Sequence, residues 1–231
     1  MISLFPQGFE EVERGRRLEL AAYTDADGAT SIWRAFGEVS TSAVADGWKD
    51  RWRRFHRGVR VGPLWVGPPW ETPPADATVV VIEPGRAFGT GAHETTGLCL
   101  ELLLELEPGS LLDVGCGSGV LAIAGAKLGH GPVTAVDHDP QAVDATARNA
   151  RSNAVDVTVR LADAFCDELP AVLVAIANLS LDAVGRVGER VETAELVTSG
   201  YLASEFPAIP GFHHVARRQR RGWAADRWQR G

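Results

Sequence analysis

Residues 111–124 read LLDVGCGSGVLAIA, and this stretch decides the fold. An apolar strand closes around Asp113, glycines follow at 115, 117 and 119, and an apolar helical segment begins at once. A chain that turns this sharply from strand to helix needs residues that tolerate positive φ, and glycine also lets the backbone approach a ligand closely. The helix N-terminus behind the turn favours negative charge.

The pattern repeats on both sides. TVVVIEPG (78–85) reads as a strand and turn, and TTGLCLELLLEL (95–106) as a helix stopped by Pro108-Gly109. PVTAVD (132–137) predicts a strand. PQAVDATARNARSN (140–153) predicts a helix with proline in its first turn, followed by a strand in VDVTVRLADA (155–164). AVLVAIAN (171–178) is a fourth, nearly unbroken apolar strand. Beyond Asn178 the signal weakens to candidate strands in AELVTSGYL, FHHVARRQR and GWAADRWQR, the last two suited to a terminal hairpin. Apolar strands alternating with helices imply an α/β protein with a mostly parallel sheet covered on both faces. Right-handed crossovers leave the carboxyl ends of the strands along one edge, where such sheets bind ligands.

Four readings of the glycine turn compete. A P-loop requires a lysine after its glycines, and none follows. A dinucleotide fingerprint requires G-x-G-x-x-G, but position 120 is valine. A glycine turn without a ligand is the plainest reading. S-adenosylmethionine is the fourth: its amino-acid end carries an ammonium and a carboxylate but no phosphate. Asp113 is then expected near the ammonium, with the backbone of Gly115 and Gly117 around the carboxylate. Asp137 ends the next strand 22 residues after Gly115, placed to accept both hydroxyls of an adenosine ribose. NAD enzymes use the same device, so the ribose alone does not choose the cofactor; the G-x-G-x-G form favours the methyl donor. Asp163, in LADAF, is a candidate acceptor for the adenine amino group, or a plain surface aspartate. Asn178 sits at the carboxyl tip of the fourth strand, where its carbonyl oxygen can orient a substrate amine; a turn or cap role is the alternative. The segment continues Leu179-Ser180 rather than the N-P-P-[YF] of amino-methylating enzymes that act on bases, which argues against a nucleic-acid substrate.

EPGRAFGTGAHETT (83–96) lies between two apolar runs. It lacks a P-loop lysine, and His93 has no partner at metal-ligand spacing, so no metal site is expected. The stretch reads as a loop across the ligand pocket. His93 is a candidate general base by its near-neutral intrinsic pKa, or a loop-holding hydrogen-bonder.

The 231-residue chain carries a net charge of −7, which does not imply a global polyanion-binding surface. Its three cysteines, Cys99, Cys116 and Cys166, are far apart and suit neither a disulfide framework nor a zinc knuckle. No run of 18 apolar residues occurs, so a cytoplasmic protein without membrane contact is the default. Residues 1–70 differ from the rest. They offer a strand near 17–23, a short helix in GATSIWRAF, and Trp48, Trp52 and Phe55 on one helical face beside Lys49, Arg51, Arg53, Arg54 and Arg57. This basic run is a solvated face or a contact for an acidic partner. The proline-rich VGPLWVGPPWETPP marks a boundary near 68–78.

VIEPGRAFGTGAHETTGLCL, LLDVGCGSGVLAIAGAKLG, VTAVDHDPQAVDATARNARSN and AIANL, in that order, resemble the ribosomal protein L11 methyltransferase family; DGWKDRWRRFHRGVRVGPLWVGPPW and SGYLASE extend the likeness. The resemblance implies a Rossmann-like seven-stranded methyltransferase sheet over 79–231, a linker at 71–78, and a small α+β recognition domain over 1–70, a truncated ferredoxin-like module. It implies S-adenosylmethionine as methyl donor and the N-terminal α-amine and lysine side chains of L11 as acceptors. By motif, Thr96, Gly115, Asp137 and Asn178 would contact the cofactor, and Phe88, Thr90 and His93 would lie near its methionine end and the acceptor. A cousin group resembling this core methylates lysines of the electron-transfer flavoprotein β subunit, so another protein lysine or a small amine is the alternative acceptor. A non-catalytic protein- or ribosome-binding module is the third reading, with residues 49–60 and Arg217, Arg218, Arg220 and Arg221 as its basic candidates.

Overall fold

Asp113 shows how strand, turn and helix are joined. The computed structural model describes residues 10–14, 17–21, 26–37, 39–40, 57–84 and 93–231. In it Asp113 lies on strand β6 (Leu111–Val114), and helix α3 (Val120–Lys127) starts after the glycine turn. The helix N-cap is Gly119, which has no side chain to offer. The Asp113 carboxylate supplies the missing acceptor from the strand, taking the Ala122 N–H at 3.0 Å.

The chain divides into two compact units, Met1–Trp52 and Arg53–Gly231. The described part of the first holds an antiparallel pair, β1 (Glu10–Arg14) and β2 (Arg17–Ala21), and helix α1 (Ala26–Phe36). The expected helix around Trp48, Trp52 and Phe55 and most of its basic run fall outside the described residues.

The second unit opens with a three-stranded sheet of β3 (Val59–Val61), β4 (Leu64–Gly67) and β5 (Thr78–Val81). Strand β4 is buried along its whole length and pairs in parallel with β5. The β3–β4 segment is therefore joined to β5 across the proline-rich stretch. Helix α2 (Glu94–Leu103), β6, α3, β7 (Val133–Asp137), α4 (Pro140–Ser152), β8 (Thr158–Leu161) and β9 (Val172–Asn178) come next. After them stand α5 (Leu181–Gly188), β10 (Thr193–Leu202), β11 (Phe212–Arg220) and β12 (Trp223–Arg230).

The seven-stranded sheet has the order β11-β12-β10-β9-β6-β7-β8, with β12 alone reversed between its neighbours. Mixed α/β architecture and the terminal hairpin agree with the sequence reading. One face of the sheet is packed by α2, α3 and α4 through residues such as Leu98, Leu102, Ile123 and Ala150. The other is packed by α5 through Val184 and Val187, with the loops around Phe165 and Ile209. Strand order reverses between β6 and β9, so the crevice of an open α/β sheet lies beyond Val114 and Asn178.

Burial and hydrogen bonding compete at Asp113. Desolvation wins: it pushes the carboxyl up to about 7, against the Ala122 amide and with a further push from Asp137. An unfolded aspartate titrates near ~3.9. The folded state therefore holds this proton more tightly, and the stability it contributes is present below that pH and is lost as pH rises toward 7. Urea unfolding from pH 4 to 7 is expected to show a more negative stability slope in the native chain than in Asp113→Asn; equal slopes would refute the assignment. A second expectation concerns Gly200, at the bulge of β10 with φ of 99°. A Cβ there would sit 2.1 Å from the Leu179 carbonyl oxygen. Clash and backbone strain together give Gly200→Ala an expected loss of about 3 kcal/mol in the same assay.

Candidate active site

The glycine turn leaves β6 at Val114 and is held by backbone and side chain. Gly115 and Cys116 donate to the Val136 carbonyl at 2.9 and 3.1 Å, tying the turn to β7. Gly115, Gly117 and Gly119 have φ of 72°, 54° and 81°, the left-handed region that disfavours any other residue. A Cβ on Gly115 would sit 2.4 Å from Leu179 Cδ2, and one on Gly119 2.7 Å from Thr146 Cγ2.

Helix α4 supports the turn from behind with a polar stripe inside the core. Thr146 Oγ1 donates to Gly117 O at 3.0 Å and toward Cys116 Sγ at 3.3 Å. Asn149 donates from Nδ2 to Ser118 O at 2.9 Å and accepts Glu83 N–H on Oδ1 at 3.2 Å. Asn153 exchanges both amide atoms with Val81, at 2.9 and 2.6 Å. These buried residues anchor the glycine turn and the backbone at the end of β5, at Val81 and Glu83. Sequence reasoning missed them; the available signal was polar residues at i, i+3 and i+7 on the face that also carries Ala142 and Ala150.

The structure gathers most of the expected site residues along the carboxyl edge. Asp137 ends β7, 8% exposed, with Oδ2 accepting Gly117 N–H and Oδ1 accepting Asp139 N–H, both at 3.0 Å. Each carboxylate oxygen keeps a lone pair for a further donor. Asp163 follows β8 in an exposed turn, where the Phe165 amide at 2.9 Å holds its carboxyl below the usual range. Thr96 is buried in the first turn of α2. Phe88 and Thr90 lie outside the described residues. Asp113 is 1% exposed and turned to α3.

Asn178 ends β9 and meets the start of α2. Its Nδ2 donates to Thr95 Oγ1 at 3.2 Å. Thr95 Oγ1 lies 2.8 Å from Nδ1 of His93, the helix N-cap, which also accepts Thr95 N–H at 3.4 Å. The Trp223 ring meets the His93 ring edge-on, with centroids 4.9 Å apart. The neighbouring residue, Leu179, is clasped: its side chain covers Gly115, and its backbone passes over Gly200 and donates to Ser199 O at 2.9 Å. Only glycine at 200 lets the chain pass this close.

Among the described residues no group of three or more His, Cys, Asp or Glu side chains could hold a metal ion. The C-terminal arginines do not form an open basic patch. Arg217 faces buried Asp226 at 3.4 Å, Arg218 pairs with Glu105 at 2.5 Å, Arg220 with Glu101, and Arg221 with Glu94 at 3.0 Å. Arg60 pairs with Asp76 at 2.8 Å.

Comparison with known proteins agrees with this geometry. Residues 15–229 match the ribosomal protein L11 methyltransferase (PrmA) family. The ribosomal protein L11 methyltransferase of Methylococcus capsulatus is 39% identical over 221 residues, 89% of this chain and 75% of that protein. That of Herpetosiphon aurantiacus is 43% identical over 145 residues, 60% of this chain and 45% of that protein. Among solved structures, the ribosomal protein L11 methylase of Lactobacillus delbrueckii subsp. bulgaricus superposes with a TM-score of 0.66 at 26% identity, covering 76% of this chain and 99% of that one. By sequence match, strand order and the glycine turn, the chain belongs to the ribosomal protein L11 methyltransferase family.

Proposed function

We propose that the chain transfers methyl groups from S-adenosylmethionine to amines of ribosomal protein L11, on the N-terminal α-amine and on lysine side chains. The observation that carries this reading is the meeting of the glycine turn, Asp137 and Asn178 at one strand edge, within a family whose relatives are named for that acceptor. The residues fit the cofactor. The turn presents backbone without side chains at Gly115, Gly117 and Gly119 and has no lysine for a phosphate, which suits a zwitterionic amino-acid end. Asp137 would accept the ribose hydroxyls, Asp163 the adenine amino group, and Thr96 would line the pocket. Bound there, the cofactor supplies a methyl group on a positively charged sulfur.

The protein's part is placement. Asn178 would accept an N–H of the incoming amine and so aim its lone pair. An amine that is protonated in water must arrive neutral, and a crevice of low polarity lowers its pKa. His93 is poorly placed as general base: its Nδ1 is occupied by Thr95, and with Nδ1 as acceptor the neutral ring carries its proton on Nε2. The N-terminal unit is assigned to recognition of the acceptor protein. The working compartment is the cytoplasm, where ribosomal proteins are made. Among the described residues, no helix is long and apolar enough to cross a membrane.

Two measurements test the reading. Incubation with labelled S-adenosylmethionine and purified L11 is expected to label L11, with mass spectrometry locating methyl groups on amines. Label that appears in a cell lysate only on another protein's lysine would move the acceptor and leave methyl transfer standing. In calorimetry, Asp137→Ala is expected to weaken cofactor binding by about 30-fold or more, since each hydrogen bond to a charged group is worth about 1.5–3 kcal/mol. Unchanged affinity would overturn the ribose placement.

A further inference from the structure

We propose that the Thr95 hydroxyl, held in one direction by His93, fixes which end of the Asn178 carboxamide faces the acceptor amine. Thr95 and His93 are then positioning residues that touch neither cofactor nor acceptor. This rests on the reading that Asn178 meets the amine.

The direction of each hydrogen bond is set by the backbone. His93 is the N-cap of α2, and its Nδ1 receives the Thr95 N–H, so that nitrogen carries a lone pair and no proton. With that tautomer, Thr95 Oγ1, 2.8 Å from the same nitrogen, sends its hydrogen there and shares the lone pair with the longer 3.4 Å N–H contact. The oxygen of that hydroxyl is left as an acceptor, and the partner it finds is Asn178 Nδ2 at 3.2 Å. The amide nitrogen is thus committed to the Thr95 side, and Oδ1 is turned away from it. Thr95 is 4% exposed, so water has little access to replace its hydroxyl. Trp223, edge-on against the imidazole, restrains the ring.

The chemistry gives this orientation a purpose. A neutral amine attacks through its one lone pair. A carbonyl oxygen accepts an N–H of the amine and leaves the lone pair free to aim. A flipped carboxamide would present N–H donors, which hydrogen-bond to the lone pair and block attack. An asparagine side chain has no intrinsic preference between the two flips, so a neighbour must choose, and a serine-type hydroxyl chooses only if its own hydrogen is already committed. The His93 Nδ1 lone pair makes that commitment.

The test compares kinetics with binding. With purified L11 as acceptor at saturating cofactor, Thr95→Val, which keeps shape and loses the hydroxyl, is expected to lower kcat about 10- to 100-fold. KM for the acceptor and Kd for the cofactor should change less than about threefold. Thr95→Ser should restore most of the rate. His93→Asn retains a capping acceptor and should restore rate lost in His93→Ala; equal losses in both would make His93 a base and overturn the relay. A Thr95→Val enzyme with wild-type kcat would also overturn it. A readout independent of the acceptor is the Asn178 side-chain NH2 signal in the ¹⁵N spectrum of the intact protein. One proton is expected to be protected from exchange in the native chain and unprotected in Thr95→Val at unchanged cofactor affinity. A fully exchanging signal in the native chain refutes the relay, whereas failure to label L11 alone refutes only the acceptor assignment.

Discussion

The structure depends on a set of buried hydrogen bonds from one helix to a glycine-rich turn. Three left-handed glycines in five residues are entropically costly to order, and they place few side chains in the core to offset that cost. Thr146 and Asn149 on α4 donate to the carbonyls of Gly117 and Ser118, at 3.0 and 2.9 Å. A buried carbonyl that loses its donor costs about 1–3 kcal/mol, so these two side chains add to the backbone bonds that tie the turn to β7. Asn149 and Asn153 also stand in for a neighbouring strand along the edge of β5. One helix face thereby sets the glycine turn and the backbone at Val81 and Glu83 at a fixed separation.

Leu179 carries that order across the crevice. Its side chain fills the space that the missing Cβ of Gly115 leaves, and its backbone occupies the space left by Gly200. Asn178 is the preceding residue. The position of its carboxamide is therefore set by two glycines, Gly115 in the turn after β6 and Gly200 on β10, as well as by the β9 register, in which Asn178 stands opposite Ser199. The glycine turn and the Asn178 side chain are thus placed by the same leucine. This rigidity suits a reaction whose rate comes from placement more than from acid–base groups.

Much of this was legible in the sequence, and the gaps have physical causes. Strands β6, β7 and β9 and helices α3 and α4 are marked by continuous apolar runs or helical spacing, signals that survive without tertiary context. Helix α5 escaped because LDAVGRVG includes two poor helix formers and only Val184 and Val187 to mark its buried face. Strand β4 escaped because Leu64–Gly67 is four residues between prolines and reads as rigid linker; only its pairing with β5 reveals it. In the site, Gly115, Asp137 and Asn178 stood out by residue type at strand ends. Thr95, Thr146 and Asn149 did not, because a polar side chain on a helix is ordinarily a solvated one. The partners that make them structural come from residues 29 to 83 positions away.

The arginines of the terminal hairpin show how charge can mislead when read without partners. Arg218, Arg220 and Arg221 look like a basic tail, yet they face Glu105, just past the end of α2, and Glu101 and Glu94 on it. Exposed pairs of this kind contribute about 0–1 kcal/mol each, so stability alone is a thin account of three in a row. Their geometric effect is larger. They set β11 and the Arg221–Trp223 corner against the first turns of α2, and that corner brings Trp223 onto His93. The hairpin thus packs against the N-terminus of α2, where Thr95 meets Asn178 of β9. A polyanion competing for these arginines would have to break the contacts that hold the hairpin to Glu94, Glu101 and Glu105. At a net charge of −7 the chain as a whole offers a polyanion no compensating attraction.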